Sequence, residues 1–191
     1  MINNCSIIAL QTKNHAPTLF KIIAFIWLIF IINNFLLNKK LLYLGIIPRR
    51  IYGVFGIICA PLLHLNFNHL FFNTIPLLIL SNFILISGIN YFIYATIFIT
   101  VSSGILIWCF AKSGIHIGAS ALITGYWGLL VNNLIYHPTF MAIILGILSI
   151  YYFAGIFFGI FPTKKTISWQ GHLFGLLSGC LLYYIHPPSY Y

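Results

Sequence analysis

The sequence predicts an all-α membrane protein, a six-transmembrane-helix bundle with a long, membrane-associated first loop. Three observations predict it. Of 191 residues, 61% are hydrophobic and only 5% are charged, whereas a soluble domain carries about 45 to 50% apolar and roughly 25% charged residues. Apolar runs approaching the roughly 20 residues that a spanning helix needs recur along the chain, mostly separated by short breaks. Finally, the polar residues within those runs gather at the openings of alternate runs.

The elements follow in order. Residues 1–18 form a polar lead with no small-residue cleavage site, so the run at 19–37 (LFKIIAFIWLIFIINNFLL) reads as an anchor and not as a signal peptide. Residues 38–66 carry Lys39, Lys40, Pro48, Arg49, Arg50 and Pro61 among apolar residues; they are too interrupted to span and too apolar to float in water. Further spans are expected at 69–88, 91–111, 118–135, 139–160 and 170–186. Pro138 and Pro162 sit at boundaries, where a missing N–H does least harm. Pro76, inside the second span, frees a carbonyl. The organisation is one transmembrane domain, 19–186, between the lead and a short tail, 187–191.

Nine Lys and Arg stand against no Asp or Glu, giving a net charge of +9. No carboxylate can act as general acid, orient a histidine or ligate a metal. An intramembrane aspartyl protease, an HExxH zinc protease and a full Ser-His-Asp triad are excluded. The basic residues are scattered singly or in pairs between apolar segments, which fits anionic lipid headgroups and not nucleic acid. Cys5, Cys59, Cys109 and Cys180 form no CxxC pair and read as structural thiols.

Polar side chains inside spans mark function, because an unsatisfied group in hydrocarbon costs several kcal/mol. They cluster at "HLNFNHLFFN" (64–73), "GAS" (118–120) and "SWQGHLFGLLSG" (168–179), opening spans two, four and six. If successive spans alternate in direction, all three clusters meet at one side of the membrane. His69 and Asn73, four residues apart, share a helix face, and two neutral donors aimed at one spot make an oxyanion hole. His64, at or before the helix start, closes the site from the loop side. The plain alternative is that these three satisfy one another and the loop backbone.

His172 lies in a GxxxGxxxG stripe of Gly171, Gly175 and Gly179 that admits a close helix neighbour. Span four offers Gly118, Ala119, Ala121, Gly125 and Gly128 in return. Close contact puts His172 in reach of Ser120 as a general base, and Ser120 opens a helix, where backbone N–H groups favour an oxyanion. His116, in the loop before Ser120, and His15, His137 and His186 are weaker candidates. A metal site would need His64, His69 and His172 to converge with no carboxylate to orient them, so neither metal nor cofactor is expected.

"HLNFNHLFFN", "GAS" and "GHLFG", in this order and each opening an even-numbered span, resemble the signature of the rhomboid intramembrane serine proteases, over roughly residues 48 to 182. The resemblance implies a six-helix rhomboid-like core with Ser120 as nucleophile and His172 as its base, a dyad that needs no acid. It implies an oxyanion hole of His69, Asn73 and the Ser120 N–H, with Gly118 in the GxS motif and His64 supporting the loop and site. Two positions depart from the pattern: Ala121 replaces the usual glycine, and Thr124 the usual large residue that packs on the histidine. The tryptophan-arginine pair of many members' first loop is absent.

The expected partners are transmembrane segments of other membrane proteins and the lipid bilayer, in a multi-pass protein of a bacterial cytoplasmic membrane. The alternative is a non-catalytic rhomboid-like protein that binds membrane helices. By resemblance the N-terminus lies in the cytoplasm and the clustered span ends face outward. The basic residues concentrate in those outward loops, which is the reverse of the positive-inside rule.

Overall fold

The computed structural model describes residues 2–138, Ile143 and 169–188. The described residues are helical or irregular, with one isolated antiparallel bridge between Ile46 and His116. The helices are α1 (Ile2–Ile31), α2 (Gly56–Cys59), α3 (Phe67–Ile86), α4 (Ile89–Phe110), α5 (Ser120–Tyr136) and α6 (Trp169–Ile185). Three segments, Leu10–Leu36, Phe67–Ile86 and Ile89–Phe110, are long and apolar enough to cross a membrane. Helices α5 and α6 have 17 residues each. The fifth expected span, 139–160, lies outside the described residues apart from Ile143.

Helix α1 starts earlier than the apolar run it contains and continues through Pro17, as membrane helices tolerate. It ends in a π-helical turn, Ile32–Leu36. Asn38 and Lys39 adopt left-handed conformations, with φ of 48° and 64°. The buried Asn33 binds the next turn twice: its Oδ1 accepts the Leu41 N–H at 3.0 Å and its carbonyl the Lys39 N–H at 2.8 Å. The connection that follows is a series of 3₁₀ turns around α2, broken at Gly45 and Pro48.

The core is built from one face of each long helix. Leu70, Leu80 and Ile84 of α3 pack with Ile99 of α4, Ile123 and Leu129 of α5, and Leu182 of α6. Polar contacts fix which ends coincide. At one end, the α1 residue Thr12 accepts from Asn82 near the close of α3, Tyr91 at the start of α4 donates to the His186 carbonyl just past α6, and Tyr136 and Tyr184, ending α5 and α6, meet at 3.0 Å. At the other end lie the starts of α3, α5 and α6 and the close of α4. Alternation of direction therefore brings the three polar clusters to one end of the bundle.

Helices α5 and α6 make the most extensive pairing among the described residues, and the small residues explain it. A Cβ at Gly175 would land on the Ala121 carbonyl and Thr124 Oγ1, and one at Gly179 on the Gly125 carbonyl. One at Gly128 would lie 2.8 Å from the Leu176 carbonyl. The two backbones touch, as a small-xxx-small seam permits.

Candidate active site

Asn66 caps α3, its Oδ1 accepting the His69 N–H at 2.9 Å, which sets His69 and Asn73 one turn apart on the inward face. Gly118 has φ +106°, a left-handed value that favours glycine, and a Cβ there would lie 2.6 Å from His69 Nε2 and 3.4 Å from Asn73 Nδ2. Its N–H donates to the Ala60 carbonyl at 2.8 Å. The residue two before Ser120 therefore rests directly on both expected oxyanion donors. Asn73 is buried, and its Nδ2 has no hydrogen-bond partner among the described residues.

His64 stands behind this pair. It is 2% exposed, and its ring meets that of His69 edge-on at a centroid distance of 5.1 Å. Burial, assisted by the neighbouring His69, lowers its pKa to about 4, and the Leu62 backbone offsets part of this without reaching hydrogen-bond geometry with either ring nitrogen. His64 is a neutral side chain at physiological pH.

Ser120 is the first residue of α5, and its carbonyl accepts the Thr124 hydroxyl at 3.0 Å. It lines a cleft of about 40 Å³ with Thr100, Ser103, His116, Gly118 and Gly171. One water needs about 10 to 15 Å³ measured this way, so the cleft admits a few. His172 is buried in the first turns of α6, directly after Gly171. Gly118 belongs both to the His69 and Asn73 contact and to the cleft wall, and so joins the two groups. The structure thus places His64, His69, Asn73, Gly118, Ser120 and Gly171 at one end of the bundle, with Gly175 and Gly179 forming the seam beside them.

Three features went unread in the sequence. The β-bridge ties the first loop to the segment before Ser120, with Ile46 N–H to His116 O at 2.9 Å and His116 N–H to Ile46 O at 2.8 Å. Arg49 closes the end of α4: its backbone N–H donates to Trp108 O at 2.9 Å and its guanidinium to Ala111 O at 2.8 Å, while the Trp108 indole donates to Arg50 O at 2.9 Å. A tryptophan of α4 and two arginines of the first loop do meet, through backbone carbonyls. The third is Gln170, a polar residue of "SWQGH" whose Oε1 accepts the Lys112 N–H at 3.0 Å.

The sequence profile of the Rhomboid domain matches residues 52–188. The chain belongs to the rhomboid family. It is similar to uncharacterized proteins of Mycobacterium bovis and Mycobacterium tuberculosis, each 33% identical over 177 residues that cover 88% of this chain and 73% of the relative. It is also similar to an uncharacterized protein of Mycobacterium leprae, 35% identical over 142 residues, 69% of this chain and 56% of the relative. Rhomboid membership makes this a membrane protein of a family that acts on membrane-protein segments within the bilayer. The Thr124 departure has a local reason in this rhomboid. Its hydroxyl already fills the gap left by Gly175, so a larger residue there would force α5 and α6 apart.

Proposed function

We propose that this rhomboid is an intramembrane serine protease of a bacterial cytoplasmic membrane. Six spans enclose the site, and the substrates are transmembrane segments of other membrane proteins. Ser120 Oγ attacks the scissile carbonyl while the neutral His172 takes its proton. The tetrahedral oxyanion is held by His69, Asn73 and the Ser120 N–H. His172 then protonates the leaving amine, and a water from the cleft, activated in turn by His172, hydrolyses the acyl-enzyme. The single observation that carries this reading is the contact of Gly118 with His69 and Asn73, since it sets two polar side chains from α3 against the backbone leading into Ser120.

Scissile carbonyls inside a helix are bonded to N–H groups four residues ahead. Substrates must therefore unwind locally, and segments with small, helix-destabilising residues near the membrane face are preferred. Labelling by a serine-reactive fluorophosphonate in detergent tests the reading. Labelling that disappears in Ser120→Ala supports it, whereas no labelling of the folded wild type favours a helix-binding protein without catalysis.

A further inference from the structure

The end of α4 is where the nucleophile's loop and the base's helix are fastened to each other. A helix leaves its last four carbonyls without partners in the helix, and here each finds one. The Ile107 carbonyl accepts the Ala111 N–H at 2.9 Å, and Arg49 takes Trp108 through its N–H at 2.9 Å and Cys109 through its guanidinium at 3.3 Å. Phe110 receives the Gln170 amide, Nε2 to O, at a long 3.5 Å. The firmer contact of Gln170 is with the next residues: its Oε1 accepts the Lys112 N–H at 3.0 Å. The Lys112 carbonyl in turn accepts from His116 Nε2 at 2.9 Å. A carbonyl only accepts, so Nε2 carries the hydrogen.

Gln170 lies two residues before His172 in the first turn of α6, and His116 lies two before Gly118 and four before Ser120. The backbone of Lys112 is thus the node between them, its N–H holding the helix of the base and its C=O the loop of the nucleophile. The α5 and α6 seam fixes how closely the two helices approach, and its glycines offer few side chains to oppose axial sliding. The bonds at Lys112 oppose that sliding.

We propose that Gln170 and His116 are positioning residues, which through Lys112 set the axial register of His172 against Ser120. The amide suits the place because it accepts from Lys112 while donating to Phe110. A hydrocarbon side chain does neither, and a carboxylate does only the first. The inference rests on the proteolytic reading above, because register matters to turnover only if the two residues react together.

The test pairs kinetics with hydrogen exchange, using full-length protein and a reporter transmembrane helix. Gln170→Met and His116→Phe are each expected to lower kcat by about 10- to 100-fold, as misplacement by about 1 Å can, with KM held within about twofold. Gln170→Glu, which keeps the acceptor, and His116→Gln, which keeps a donor, are expected to recover most of the loss. The double variant is expected to be no slower than the slower single one, since both act through one node. Exchange is expected to quicken in both 112–118 and 169–173 in either single variant. Wild-type kcat in a folded Gln170→Met, no recovery in Gln170→Glu, or loosening confined to the mutated segment would each overturn the proposal. Exchange needs no activity, so a wild type that cleaves nothing sinks the proteolytic reading alone while exchange still judges the coupling.

Discussion

Asn73 is buried against Gly118 with its amide nitrogen unpartnered among the described residues, an arrangement that waits for an acceptor. Asn73→Ala is expected to lower turnover by about 10² to 10³, the loss typical of one oxyanion donor. KM should hardly move, because that bond strengthens only in the transition state. Steady-state kinetics on a reporter helix checks this, and unchanged turnover would leave Asn73 a packing residue. His64 makes a prediction about pH. Its folded pKa of about 4 lies below the ordinary 6.5, so between those values the unfolded chain binds a proton that the folded one refuses. The stability it contributes is complete above about pH 6.5, falls as pH drops towards 4, and is level below, a span on the order of 3 kcal/mol at most. Thermal melts of wild type should decline through that window more steeply than those of His64→Gln; parallel curves would assign the acid sensitivity to other groups. The residues themselves were legible because hydrocarbon makes every polar side chain conspicuous. What spacing did not reveal was that Gly118 is left-handed and that His69, 49 positions away in sequence, occupies the space a Cβ there would need.

At the scale of elements, α3, α4, α5 and α6 fall within two residues of the boundaries expected from hydropathy, because the length of an apolar run is itself the signal. The first loop was legible only as an interruption. Its bridge to His116 and its closure on α4 are backbone bonds that leave no mark on side-chain pattern, and Arg49 resembles any surface arginine until Trp108 is beside it. The seam was legible as spacing, and its tightness gives a prediction. A Cβ at Gly179 falls on the Gly125 carbonyl, so Gly179→Ala is expected to destabilise by about 1 to 3 kcal/mol through overpacking. Leu181→Ala, on the exposed side of the same helix, should stay within about 0.5 kcal/mol. Unfolding in detergent compares the two, and equal tolerance would count against a backbone-to-backbone contact.

For the whole molecule, the end that carries the site also carries Lys39, Lys40, Arg49, Arg50 and Lys112, while Lys13 and Lys21 lie towards the other end or within α1. The positive-inside rule sends the richer end to the cytoplasm, whereas the family orientation sends it outward. We expect the family orientation, because in a chain without acidic residues the basic ones must occupy whatever loops exist, and Lys13 and Lys21 lie in the N-terminal half of the first span to insert. Fusions after Tyr191 are then expected to give fluorescence without phosphatase activity, and the reverse pattern would invert the molecule. The central claim is that Ser120 and His172 act as one unit at the meeting point of three helix starts. It is tested most directly by cleavage of a reporter transmembrane helix in proteoliposomes by wild type, Ser120→Ala, His172→Ala and the double variant. The account predicts that Ser120→Ala abolishes cleavage, that His172→Ala is nearly as severe, and that the double variant is no worse; cleavage by folded Ser120→Ala well above background would contradict it.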